Sequence, residues 1–199
     1  MAKIGLSKPY AAMYSATNNT VTYTKGALIG KAVDLSIELE GADDNVLYAD
    51  NGVAESANTF SGGSFTLTTD DLMPSVMVNI LGVETEAISG VDGVKTEGAS
   101  WYKFNSNQQT PYMGFGAIVK VQNNNVVGWQ AIVLPKVQFQ NPNDTFTTQG
   151  ETIEWGTPEI SGTIMRDDTE DQNWKQISSI LATEAEAEVL LKDYFNITA

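Results

Sequence analysis

Three pairs of adjacent carboxylates are the residues of this sequence best suited to chemistry. They are Asp43–Asp44, Asp70–Asp71 and Asp167–Asp168. Paired carboxylates can ligate Ca²⁺ or take part in hydrolysis. The second pair precedes a predicted helix, where capping explains it, and the others lie in polar segments, where solvated turns explain them. We therefore predict no catalytic residue and no metal ligand among them.

The segment LYADNGVAES (residues 47–56) raises the same question, because Asp50, Asn51 and Gly52 resemble the start of a calcium loop. Such a loop closes with a bidentate Glu at its twelfth position. The twelfth residue counted from Asp50 is Ser61, so the loop does not close. Asn-Gly is a strong hairpin signal, because both residues tolerate positive φ. The segment predicts a β-hairpin.

The composition argues against an enzyme. The 199 residues include no cysteine and no histidine, which removes thiolate nucleophiles, disulfides and the commonest general base near neutral pH. There are 25 acidic and 11 basic residues, giving a net charge of −14 that repels phosphate backbones and also promotes solubility. We expect no cofactor. No apolar run is long enough to cross a bilayer, and the N-terminal segment lacks a signal-peptide core, so Sec export is not expected.

Any functional surface must be positioned by the long segments in which apolar and polar residues alternate. From Gly30 to Glu40 the apolar residues share one parity and the polar residues share the other, which predicts a strand with one buried and one acidic face. The segment 64–68 repeats the pattern, with Phe65 and Leu67 directed inward. The outward positions are Asp34, Ser36, Glu38, Glu40, Ser64, Thr66 and Thr68. An excursion at about 41–58 separates the two strands, and long loops of this kind usually contact something.

The remaining sequence predicts a second hairpin and several helices. Residues 112–122 and 126–140 alternate around an Asn-rich turn, and Pro135 indicates a bulge or an edge position. A helix is predicted after Asp70 and Asp71, ending at Gly82. The C-terminus is predicted to be helical over 174–181 and again from 183, where Thr183 and Glu186 form a capping box.

Several segments together resemble a known family. They are KIGLSKPYAAMY near the N-terminus, LYADNGVAES, WYKF followed by PYMGFG, and TQGETIEWGTPEISGTIMRDD. In this order they resemble the major tail proteins, or tail tube proteins, of long-tailed phages of Gram-positive bacteria, the phi13-type family. The resemblance runs over nearly the whole chain, so it implies a single tail-tube domain over residues 1–199. It implies a mainly β (α+β) fold, a β-sandwich or partial barrel of long antiparallel strands with a flanking helix and C-terminal helices.

The resemblance also implies a structural role in the virion tail. Homohexameric rings would stack into a tube, and four strands of each subunit would close an inner barrel through which DNA passes without specific binding. The other implied partners are tail proteins such as the tape measure and tail terminator proteins, and the subunit would be made in the host cytoplasm. The outward positions above would face the lumen, and the excursion would make inter-ring contacts. The contact residues would be Asp43, Asp44, Tyr48, Asp50 and Asn51.

Two other classes of protein remain open from the sequence. One is the tube protein of a contractile tail or of a secretion system. The sequence does not distinguish this class from the tail tube proteins of the phi13-type family. The other is a non-catalytic carbohydrate-binding β-sandwich, which would be expected to carry exposed aromatic residues and a calcium site.

Overall fold

A computed structural model describes residues 2–41, 45–49, 52–57, 60–90, 98–143, 146–148 and 156–197. The protein is mainly β with a flanking helix, as predicted, and belongs to the sandwich-like class. Its strands are β1 (Ala2–Thr17), β2 (Thr20–Leu28), β3 (Ala32–Gly41), β4 (Asn45–Ala49), β5 (Gly52–Ala57), β6 (Phe60–Thr69), β7 (Glu84–Ala87), β8 (Ser100–Lys103), β9 (Tyr112–Asn123), β10 (Val126–Phe139), β11 (Glu159–Met165) and β12 (Gln176–Ile177). The helices are α1 (Pro74–Leu81) and α2 (Glu184–Tyr194).

One antiparallel sheet forms the body of the protein. Its strands follow the order β2-β1-β9-β10-β11-β6-β3, and β12 pairs with β10 where β11 does not reach. The sheet bends, so that β3 at one end approaches β1 to within 8 Å without joining the ladder. Two smaller hairpins, β4–β5 and β7–β8, form sheets of their own.

Asparagine pairs make the tight turns of the main sheet. Asn18 and Asn19 connect β1 to β2, and Asn124 and Asn125 connect β9 to β10. All four have positive φ, between 47° and 64°, as two-residue hairpins require. The predicted hairpin at residues 47–56 is also confirmed, because Ala49 of β4 is paired with Gly52 of β5.

The bent sheet encloses an apolar interior in which aromatic rings pack against one another. Phe65 lies 5.0 Å from Phe115 and 5.3 Å from Phe139, centroid to centroid, and all three are buried. Leu67 is fully buried beside them, so the inward positions predicted for β6 are confirmed. Burial of each such side chain contributes roughly 2 kcal/mol, so this interior is the main source of stability.

The apolar face predicted for β3 is only partly buried. Leu35 and Ile37 are half-buried against the interior, whereas Val33 and Leu39 are 56% and 51% exposed. Because β3 is the last strand of the sheet, no further strand of the described chain covers its ends. The prediction of one continuous buried face was wrong at these two positions.

A bulge in β10 exchanges the two faces of that strand. The register shifts between Leu134 and Val137, at the proline for which a bulge or edge position was predicted. Before the bulge, Ala131 and Val133 pack on the outer face, and after it Val137 packs in the interior. The bulge explains why Leu134, which broke the predicted alternation, is also buried in the interior.

One prediction about the helices was wrong in part, and another was wrong. Helix α1 ends at Gly82 with φ of 68°, as expected, but no side chain caps its start. Asp70 instead accepts a hydrogen bond from the backbone N–H of Lys31 at 2.7 Å. Residues 174–181 form no helix, because the free edge of β10 takes their backbone groups, as in the bond from Ser178 N to Ala131 O.

Helix α2 lies against the outer face of β9 and β10. Its capping box, formed by Thr183 and Glu186, is confirmed. A Cβ atom at Gly116 would lie 2.8 Å from both Leu191 and Phe195, so glycine permits the close approach of the helix. Glycine at this position therefore serves the packing of the helix on the sheet.

Candidate functional site

The polar faces of β3 and β6 form one continuous surface. Register places their outward residues side by side, because the Cα partners are Asp34 and Thr68, Ser36 and Thr66, and Glu38 and Ser64. Since side chains alternate along a strand, these six point to the face opposite the apolar interior. The structure thus brings together the positions predicted from two separate segments. Glu40, paired with Gly62, continues the same row.

Strand β11 extends this surface, which the sequence analysis did not foresee. Its partners on β6 are Thr68 with Glu159, Thr66 with Ser161, and Ser64 with Thr163. The hydroxyl groups of Thr66 and Ser161 lie 3.3 Å apart, within hydrogen-bonding distance. The signal was present, because residues 159–164 alternate between outward polar or small residues and buried residues. We call the outward surface of β3, β6 and β11 the acidic face.

The acidic face carries negative charge with no compensating cation in its own strands. Three carboxylates lie on β3, one lies on β11, and none of the three strands contains Lys or Arg. The carboxylates are Asp34, Glu38, Glu40 and Glu159, and all four residues are exposed. None of them takes part in an ion pair with another residue in the described ranges. A surface of this kind repels phosphate groups.

Two lysines on neighbouring strands also bear on the charge of this side of the sheet. Lys136 on β10 binds the carboxylate of Asp168 at 2.7 Å and lies over the rings of Tyr14 and Tyr112. Lys120 on β9 lies 5.7 Å from the ring centroid of Trp129. Lys136 lies opposite Met165 of β11 and so borders the acidic face, with its charge paired to Asp168, whereas Lys120 lies one strand further away.

The other predicted contact residues are only partly described. Tyr48 lies in β4, within the hairpin that follows β3 and precedes β6 along the chain. Asp43, Asp44, Asp50 and Asn51 lie outside the described residues.

The carboxylate pairs have structural contacts. Asp167 accepts hydrogen bonds from the backbone N–H and the hydroxyl of Thr169, at 3.2 and 2.6 Å. The bond from Lys136 and a second from the Tyr14 hydroxyl hold the pKa of Asp168 below its usual value. Burial raises the pKa of Tyr14. The backbone bond from Lys31 lowers the pKa of Asp70.

A carboxylate on α2 fastens the helix to β1. Glu188 accepts bonds from Lys8, from Lys192 at 2.9 Å and from the hydroxyl of Tyr10 at 2.8 Å. These donors, with Lys8 the strongest, lower the pKa of Glu188 from 4.5 to about 2. Ser7 donates a further bond to Glu184 at 2.6 Å. The first turns of α2 are therefore held on β1 by charge as well as by packing.

The Glu188 contacts predict a specific loss of stability in acid. Because the folded pKa is depressed, they stabilise the protein fully above the unfolded value near 4.5 and progressively less as the pH falls toward 2. Glu188→Gln should lower the free energy of unfolding by about 2 kcal/mol at pH 7. Urea titrations at pH 7 and at pH 2.5 should show the deficit shrinking in acid. Glu170→Gln, at an exposed site, is the control and should change stability by less than about 0.5 kcal/mol. An equal deficit at both pH values would contradict this account.

No metal centre and no membrane-spanning helix is found in the described part of the chain. No three Asp or Glu residues there converge as metal ligands. Neither helix of that part has the length and apolar character needed to span a bilayer. In comparisons with known proteins, no family model and no curated protein matches the sequence.

Proposed function

We propose that the protein is the subunit of a phage tail tube, in which homohexameric rings stack and leave a channel for DNA. The observation that carries the proposal is the acidic face, a continuous exposed surface on three long strands with four carboxylates and no basic residue. A channel wall of this charge keeps DNA from adhering during ejection. The resemblance of the sequence to tail tube proteins supports the same role.

An unpaired edge of the sheet supports self-assembly. Strand β2 is the first strand of the order, so one of its edges has no partner in the described part of the chain. Exposed edges of this length favour pairing with another chain, and closure into a ring removes them. Thr17 and Thr20 are paired across a two-residue loop. Since hydrogen-bonded and non-bonded pairs alternate along such a hairpin, the N–H of Val21 points to the free edge.

Assembly tests the proposal directly. The concentrated protein should sediment as a multiple of 21.5 kDa and should show annular particles or hollow filaments by negative-stain electron microscopy. Val21→Pro removes an outward N–H and changes a half-buried side chain that packs against the apolar cluster beneath α2; it should still fold and should associate at least about ten-fold more weakly. Val21→Thr keeps the N–H group and is the matched control. A strictly monomeric wild-type protein at high concentration, with no filaments after seeding, would contradict the proposal.

A carbohydrate-binding module is the second candidate function. Exposed aromatic side chains on and next to β8 favour it, because Trp101 is 64% and Phe104 is 50% exposed. Such rings can stack on sugar faces. A monomeric protein whose tryptophan fluorescence responds to soluble glycans, and no longer does so after Trp101→Ala, would favour this candidate over the tube.

A further inference from the structure

A groove opens where β3 approaches β1 at the end of the sheet. Its volume is about 440 Å³, and its apolar lining includes Leu6, Ile37, Val119 and Ile132. Val33, which is 56% exposed, lies at the same groove. The exposed Val33 and the half-buried Leu6 and Ile37 leave apolar surface open to solvent at this groove, which indicates a contact surface.

Two lysines and one carboxylate give the groove a net positive charge. Lys3 and Lys175 both line it, and in the described ranges neither forms an ion pair. Lys175 is half-buried, and burial together with the nearby charge of Lys3 lowers its pKa. Asp34 also lines the groove but lies beyond ion-pair distance of both lysines. The groove therefore suits an occupant that is apolar and carries carboxylates.

The outward side of α2 has this composition. Glu186, Val189, Leu190 and Asp193 are spaced i, i+3, i+4 and i+7, so they form one stripe along the helix. Val189 is 67% and Leu190 is 43% exposed, and both acidic residues are exposed as well. The stripe faces away from Ala187 and Leu191, which are buried against the sheet.

The groove and the α2 stripe lie on opposite sides of the sheet. On β10, Ile132 lines the groove, whereas its neighbours Ala131 and Val133 pack beneath α2. Successive side chains of a strand point to opposite faces. The stripe of a molecule therefore cannot fill its own groove, but it can fill the groove of a second molecule in the same orientation. Such a head-to-tail contact generates rings or filaments.

We propose that the α2 stripe of one copy docks in the groove between β1 and β3 of the next copy. Val189 and Leu190 cover the apolar lining, Asp193 approaches the ammonium group of Lys175, and Glu186 lies on the side of Lys3. The proposal rests on the proposed function in that the occupant is a second copy of this chain. A single helix face buries less than the roughly 800 Å² per partner of a stable interface. The contact is therefore weak between two monomers and is strengthened by ring closure.

Thiol cross-linking tests the contact, because the chain contains no cysteine and every cross-link reports on introduced residues. Val33→Cys with Val189→Cys places one thiol at the groove and one on the stripe. A short bis-maleimide should then produce a ladder of dimers, trimers and longer species in denaturing gels. The control pairs Val189→Cys with Val126→Cys, a valine that is 70% exposed at the turn between β9 and β10. A ladder no stronger than this control would overturn the proposal.

A second test exchanges the charges of the two residues proposed to pair. Lys175→Glu in the cross-linking variant should reduce the ladder about five-fold, and Asp193→Lys should restore it. Lys120→Glu, on the face of β9 opposite to the groove-lining Val119, should have no effect. Equal loss with Lys120→Glu, or no recovery with Asp193→Lys, would overturn the proposed pairing.

The result of the cross-linking test can be distinguished from the result of the assembly test of the proposed function. A ladder from a protein that forms no rings or tubes would support the contact and contradict the tube. Rings or tubes without a ladder would overturn the contact and leave the tube in place.

Discussion

Particles assembled from the Glu38→Lys, Glu40→Lys variant are expected to release DNA more slowly than wild-type particles. Both residues lie on the acidic face, paired across the ladder with Ser64 and Gly62. In a ring, each subunit would add two cations to the channel wall, and each phosphate contact would displace counterions from DNA. We expect release to slow about ten-fold or more at roughly 50 mM salt, with most of the difference lost at about 200 mM.

The variant should fold and assemble, because both side chains are exposed and such substitutions usually change stability by less than about 0.5 kcal/mol each. The measurement is the rate of DNA release from purified particles, followed with an intercalating dye as a function of salt. Glu170→Lys with Asp171→Lys is the matched control. It makes the same change in net charge at two exposed residues outside the acidic face. Normal release at low salt from well-formed variant particles would show that the acidic face does not line the channel.

The acidic face was largely predictable from the sequence, because the alternation of polar and apolar residues along a strand determines the face on which each side chain lies. Asp34 to Glu40 and Ser64 to Thr68 were assigned to one outward surface, and their register agrees with that assignment. Glu159 was not assigned, although its strand alternates equally well. The sequence does not state which distant strand pairs with β6, and this pairing alone decides that Glu159 joins the surface.

Other features of the structure could not be predicted, because they depend on tertiary contacts that the local sequence does not indicate. Residues 174–181 have apolar residues at helical spacing, yet they run along the free edge of β10, where Leu181 exchanges two hydrogen bonds with Trp129. The exposed ends of β3 likewise follow from its place at the end of the sheet. The groove with Lys3 and Lys175 joins residues 172 positions apart in the sequence, so only the fold could reveal it.

Deletion of residues 42–57 is expected to leave a folded subunit that forms no tubes. Gly41 and Phe60 are direct partners across β3 and β6, so the deletion leaves Asn58 and Thr59 as a two-residue hairpin loop. Thr59→Gly should be added, because both positions of such a loop favour positive φ. Strands β4 and β5 pair with each other and with no other strand of the described chain. Their removal should therefore change the free energy of unfolding by about 1 kcal/mol or less.

The expected loss concerns the contact between rings, which the resemblance to tail tube proteins implies for the excursion that contains this hairpin. Single rings should persist in electron micrographs, while filaments should fall at least about ten-fold in number, since stacking has lost its contact surface. A second variant, with residues 42–57 replaced by a Gly/Ser segment of equal length, separates the chemistry of the hairpin from its length. If that variant elongates normally, the native side chains of the hairpin make no required contact. If the deletion variant instead unfolds, as judged by near-UV circular dichroism, the hairpin belongs to the folded body of the subunit, and the inter-ring role would have to pass to another surface.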